Sequence, residues 1–305
     1  MAGIILHHYP RSPFAEKVRL ALGLKGLDYH AVTIPALMPK PELMPLTGGY
    51  RHTPVLQVGA DVYCDTLAIL RQLERMHPAP SLFPAGTEGM ATALGWWIEK
   101  AIFVPAVGLV RALSDAPPNP AMTEDRREFF GFDIDKPAML AQQPIFLQRL
   151  AVHLGWLEQM TRDGRDFLLG ARPGAADLAA FHPLWFIRQN GGPGVDGLLP
   201  GLAPLRGWFE RVAAIGHGHP QELTASEALG VAAGAEPAAL DGAASDLPGC
   251  RLGDEVSVTP DDTGRNPVRG RLLAASGDMV VLGRTDPMVG RVNLHFPRAG
   301  FDVAP

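Results

Sequence analysis

Cysteine is nearly absent. Cys64 and Cys250 are the two thiols in 305 residues and lie far apart. So sparse a set gives no disulfide framework, and no Cys-x-x-Cys pair offers dithiol redox chemistry or a thiolate metal site. Cys64 reads as a buried structural thiol, and Cys250 as incidental to a Pro-Gly-Cys turn. Charge of one sign is missing too. Lys and Arg total 27 against 32 Asp and Glu, a formal net charge of −5, and no basic run of five occurs. A nucleic-acid surface therefore lacks its electrostatic footprint. Charges, Pro or Gly break every apolar stretch before it reaches membrane-spanning length. Met1 to His8 have neither a basic segment nor an apolar core followed by a cleavage site. These absences lead us to expect a cytoplasmic protein with neither membrane nor nucleic acid among its partners. His7, His8, His217 and His219 have no partner cluster, so no metal is expected. No repeat of 20–50 residues occurs.

What is present is a globular composition, 47% apolar and 19% charged, in a chain long enough for two or three domains. Gly3 to Tyr9 is a short apolar run stopped by Pro10. Ala15, Val18, Ala21, Leu22 and Leu24 then recur at helical spacing, with Pro13 suited to the first helical position and Gly26 to the end. Tyr29–Ile34 is β-like. After a proline-rich passage, Val55–Val58 and Val62–Tyr63 flank a Gly59-Ala60-Asp61 turn as a hairpin, and a helix runs from Thr66 to about Met76. The order is βαβ, a loose connection, then ββα, which is the order of a thioredoxin fold.

His77–Gly86, with three prolines, reads as an interdomain linker. Beyond it, amphipathic segments at about 87–115, 144–163, 175–189 and 203–215 read as helices, the first kinked at Pro105. Residues 116–143 read as a mobile insertion. An Ala/Gly-rich segment, 225–249, precedes five short β-like runs at regular spacing between 255 and 303, which suggest a small barrel or sandwich, SH3-like.

Three short motifs have residue types suited to chemistry. In Tyr9-Pro10-Arg11-Ser12-Pro13-Phe14, Ser12 stands where a helix begins. A plain N-cap explains it fully; alternatively the helix start and the hydroxyl could stabilise someone else's thiolate. In Arg51-His52-Thr53-Pro54-Val55, a proline directly before a β-run fits either an ordinary strand start or a cis Thr53–Pro54 bond. In Asp65-Thr66-Leu67, Thr66 reads as an N-cap after a carboxylate. Beyond capping, that pair could hold an α-carboxylate and an α-amine together.

In order and spacing, this arrangement resembles the cytosolic glutathione transferases. Ser12-Pro13-Phe14 followed by Lys17-Val18-Arg19 and Lys25-Gly26 is similar to the serine-type, bacterial-like members. Thr53-Pro54-Val55-Leu56 is similar to the family's cis-proline motif, and Asp65-Thr66 stands where Glu-Ser is usual. Phe167–Gly170 with Ala176-Asp177 resembles the helix start in the core of the second domain, with Gly174 and Asp177 forming half a capping box. The resemblance covers residues 4 to about 215. It implies a thioredoxin-like α/β domain at 1–78, an all-α domain at 87–223, a linker or helix at 224–249, and outside the family plan a small all-β, SH3-like domain at 250–305.

The resemblance also implies glutathione as co-substrate, with Ser12 donating a hydrogen bond to its sulfur and Tyr9 as the alternative donor. Thr53 and Pro54 would pair with the cysteinyl backbone, Asp65 and Thr66 would hold the γ-glutamyl head, and Arg51 or His52 would attract the glycine carboxylate. Phe14, Trp96, Trp97, Phe103 and Tyr9 would line a pocket for a small hydrophobic electrophile, although core packing accounts for those aromatics as well. A homodimer is the family's plan. The second functional reading is a catalytically weak scaffold that binds a protein partner.

Overall fold

The computed structural model describes residues 3–117, 119–192, 194–240 and 244–305. Pro118 of the proline run and residues 241–243 of the Ala/Gly-rich segment lie outside the described residues. Strand β1 (Ile4–His8) leads to helix α1 (Pro13–Leu24), strand β2 (Asp28–Thr33), a short helix α2 (Met44–Thr47), the hairpin β3 (Val55–Val58) and β4 (Asp61–Cys64), and helix α3 (Thr66–Met76). Ser12 caps α1 by accepting from the Ala15 N–H, and Pro13 occupies its first position, the pairing that ends a strand and starts a helix cleanly. The cap of α3 is Asp65, not Thr66: its carboxylate accepts from the Leu67 N–H at 2.8 Å.

The helical layer contains α4 (Glu88–Leu113), α5 (Pro120–Phe130), α6 (Lys136–Thr161), α7 (Ala175–Asn190), the short α8 (Val195–Leu198) and α9 (Arg206–Ala213). Length and composition alone would let α4 cross a membrane, contrary to the sequence reading. In the fold it packs between α6 and α7 and runs through Pro105. The expected insertion at 116–143 is instead α5 and the first turns of α6. Asn119 caps α5 by accepting from the Met122 N–H, Pro120 takes its first position, and Gly131 ends it left-handed. The proline run is thus a start signal rather than a mark of disorder. Buried Asp177 ties the layer together: its carboxylate accepts from the N–H groups of Leu168 and Gly174 and from Trp208 Nε1.

Strand β5 (His219–Glu222) then adds to the outer edge of β2, in parallel. This return needs a close approach, since a Cβ on Gly23 would lie 2.0 Å from the Gly216 carbonyl oxygen. Helix α10 (Ala225–Ala233) follows, with Thr224 and Glu227 as a reciprocal capping box. The chain ends in β6 (Glu255–Pro260), β7 (Val268–Ala275), β8 (Met279–Asp286), β9 (Gly290–Pro297) and β10 (Phe301–Ala304). The extra β-domain is present, and β10 pairs back onto β6. It is not a separate sheet, however. One ten-stranded sheet runs β10-β6-β7-β8-β9-β4-β3-β1-β2-β5, joined where β9 lies parallel to β4, Tyr63 opposite His295.

Alternation along the strands divides the interior in two. Ile4, Leu6, Leu56 and Tyr63 face the helical layer. Ile5, Val55, Val62 and Cys64 face the other way, into a core shared with α10, Val256, Val258, Leu294 and Phe296. The last five strands therefore complete a core that the N-terminal strands cannot close alone. Deleting residues 245–305 is expected to lower the melting temperature by about 10 °C or more and to raise binding of an apolar dye. Unchanged melting would show an independent appendage.

Candidate functional site

A continuous cavity of about 950 Å³ lies between the N-terminal sheet, the helical layer and the β-domain, large for a small-molecule site. Ser12, Tyr9 and Phe14 line it from the β1–α1 turn, Arg51, His52, Thr53 and Pro54 from the approach to β3, Asp65 and Thr66 from the start of α3, and Trp96 and Phe103 from α4. The sequence motifs, up to about 54 residues apart, thus converge on the cavity.

Ser12 is buried, and among the described contacts its Oγ only accepts, from the Ala15 N–H at 3.2 Å. Its own proton is left to give to another acceptor. The Thr53–Pro54 peptide is cis. Asp65 holds a positive φ of 80° at the head of α3. Burial lifts its carboxyl from 3.8 to about 6, with Glu99 adding to the rise and Lys17 opposing it. Thr66 Oγ1 accepts from Lys17 Nζ at 3.0 Å, and the same ammonium pairs with Glu99 at 2.6 Å. Burial pushes the Glu99 carboxyl up, but Lys17 and His182 more than offset this and hold it at about 2.

Two residues expected to attract a carboxylate are already engaged. The Arg51 guanidinium is paired with buried Asp125 of α5 and lies 5.4 Å from the Phe129 ring, so its charge is matched within the protein. His52 is stacked on Tyr50, and its Nε2 contacts the Thr263 carbonyl at 3.0 Å. Burial lowers its pKa to about 4, so it is neutral at pH 7. Sequence reasoning passed over Lys40, whose Nζ donates to Thr53 Oγ1 at 2.9 Å and to the Arg51 carbonyl at 2.8 Å. Among the described residues no carboxylate pairs with it. Burial, with Arg126 and Arg51 nearby, lowers its pKa to about 8, leaving it mostly charged at pH 7.

Of the aromatics, Phe14 and Phe103 meet edge to face at 4.7 Å on the cavity wall. Trp97 does not belong there. It lies on the far side of α4 against His153 and Trp156, because it is one position off the stripe that runs through Trp96, Lys100 and Phe103. The β-domain contributes Asp262, Thr263, Gly300 and Phe301 to the lining. Lys100 reaches both Asp261 and Asp262 at 2.8 Å, and Gly300, at φ +86°, leaves room for the Trp96 ring.

The family model described as glutathione S-transferase, N-terminal domain, matches residues 6–81, and that of the C-terminal domain matches 124–211. A solved GST-like protein from Pseudomonas syringae is 38% identical and superposes with a TM-score of 0.77, covering 99% of this chain and 100% of its own. The zeta-class glutathione S-transferase of Euphorbia esula is 40% identical over 84 residues, 26% of this chain and 36% of that protein. The chain thus spans about a third of that relative's length. FtsZ-localized protein A of Caulobacter vibrioides is 27% identical over 181 residues, 57% of this chain and 73% of that protein.

The Asp65 carboxyl should titrate near pH 6 by carboxyl NMR. Replacing Glu99 with Gln should lower that midpoint, because Glu99 is one of the charges that raise it. An unchanged midpoint would mean that the two carboxylates do not sense each other.

Proposed function

The chain belongs to the glutathione S-transferase family, and from that membership we propose that it is an enzyme that binds glutathione, ionises its thiol and directs the sulfur at an electrophile in the adjoining part of the cavity. The observation that carries this reading is the convergence of Ser12, Thr53–Pro54 and Asp65–Thr66 on one wall. Glutathione would lie extended across that wall. Its γ-glutamyl ammonium would pair with Asp65, and its α-carboxylate would meet Thr66 and the unpaired N–H groups that open α3. Its glycine carboxylate would reach Lys40 in place of Arg51 or His52, since Lys40 has the unmatched charge.

The thiol would rest over the start of α1, where the Ser12 proton is available. A free thiol titrates near 8.5, and a drop of about 2 units makes the thiolate dominant at pH 7. The helix start contributes part of that drop through its partial positive charge and Ser12 contributes a hydrogen bond. Phe14 and Phe103 would then keep water from the sulfur's attack path.

A second reading, a scaffold that docks a protein and has weak chemistry, draws on the likeness to FtsZ-localized protein A and on the β-domain. Turnover of a generic electrophile separates the two.

Ser12→Ala should raise the pKa of the bound thiol by about 1–2 units, read from thiolate absorbance in the complex, while glutathione still binds. An unchanged thiol pKa would leave Ser12 a helix cap and make Tyr9 the donor. Asp65→Ala should weaken glutathione by roughly ten- to a hundredfold by calorimetry, since a charged hydrogen bond contributes about 1.5–3 kcal/mol. In the parent, affinity should fall below pH 6, because the ammonium needs the ionised Asp65 carboxylate and protonation removes it.

A further inference from the structure

Seven cationic side chains line the cavity, and most are matched. Lys17 pairs with Glu99, Arg51 and Arg126 with Asp125, and Lys100 with Asp261 and Asp262. Among the described residues, Arg11, Lys40 and Arg111 have no carboxylate partner. Arg11 is exposed beside Asn190, and Lys40 lies in the glutathione wall. Arg111 has no place in the reading so far.

Arg111 is half-buried in the last turn of α4. Its Nη2 donates to Thr123 Oγ1 at 2.8 Å and its Nε to the Ile134 carbonyl at 3.3 Å. Both acceptors are neutral, and among the described contacts its Nη1 has none. Phe103, Val107 and Arg111 recur at i, i+4 and i+8, so they share one face of α4, and all three line the cavity. At 1.5 Å per residue, Arg111 stands about 12 Å beyond Phe103, the residue that meets Phe14 next to the thiol's resting place. Val107 on α4 and Met122 on α5 add apolar surface to the same cavity, beside Thr123 and Arg126 of α5. A half-buried guanidinium whose described acceptors are all neutral keeps its full charge and a free N–H edge for an anion.

We propose that the electrophile is an elongated apolar molecule ending in a carboxylate, its reactive carbon at the Ser12 end and its carboxylate on Arg111. This rests on the glutathione reading and offers a longer, acidic molecule in place of the small hydrophobic electrophile expected from the sequence. Guanidinium and carboxylate match as a fork on two oxygens, which fixes the far end of the molecule and so the position of the reactive carbon.

The test compares S-octylglutathione with its ω-carboxy counterpart, two probes anchored in the same place with tails of similar length, by calorimetry on the full chain. Arg111→Met should shift the affinity ratio against the carboxylated probe by about tenfold or more. Glutathione itself should bind both proteins equally, and Arg111→Lys should restore part of the ratio. A ratio unchanged in Arg111→Met overturns the proposal while leaving the glutathione site intact. Decanoate and decanol, titrated without glutathione, provide a separate arm. If neither glutathione derivative binds, the glutathione reading fails, and the trough is judged by this pair alone. Loss of about tenfold for decanoate only, in Arg111→Met, upholds the anion site, and equal affinities in both proteins refute it.

Discussion

The arrangement of this molecule depends on the pairing of β9 with β4. Without it, β4 would be the exposed edge of the N-terminal sheet, with a row of unpaired backbone groups. Three polar contacts fix the register there. The buried Asp61 carboxylate accepts from His295 Nε2 at 2.8 Å and from the Ala238 N–H at 2.7 Å, and Asn293 donates to the Ala238 carbonyl. The Tyr63 ring stacks on His295 at 4.3 Å. A one-residue slip would turn His295 into the apolar core and Leu294 out of it, so the register is strongly specified. That junction lays the β-domain along the sheet and brings its loops to the mouth of the cavity.

The cavity is therefore a product of three regions. The Lys17 ammonium links Thr66 of α3 to Glu99 of α4, with His182 of α7 on the same carboxylate. This network ties the Asp65–Thr66 end of the wall to the helical layer. Arg51 does the same for α5 through Asp125. On the β-domain side, His52 meets Thr263 and Lys100 meets Asp261 and Asp262. Buried ion pairs contribute little net stability against well-packed apolar groups, but they define geometry. Together with the exposed Lys100 pairs they match four of the seven cations that line the cavity, which is why the unmatched ones have meaning.

Corrections to the sequence reading share a cause. Ser12, Thr53, Pro54, Asp65 and Thr66 were legible because each acts through its own stretch of backbone: a cap, a proline, a helix start. The sequence could not show that Arg51 and His52 are already engaged, because a side chain's charge depends on what surrounds it. Asp125, 74 residues away, matches the first, and burial near Thr263 neutralises the second. Trp97 was misplaced by one position of helical phase. The segment at 116–143 read as loose because its prolines were counted as breakers, although Asn119-Pro120 is a cap and first-turn pair.

By itself the sequence determined the βαβ–ββα order of the first domain, the helical region with strands after it, and the turn motifs that line the cavity. Hydrophobic period and turn chemistry are local, and they carry that much. Only the tertiary structure decided that the last five strands extend the first sheet, and that among the described residues Lys40 and Arg111, unlike Arg51, have no carboxylate partner. Those facts depend on which distant groups come within a few ångströms of each other, and charge pairing and desolvation act only at that range.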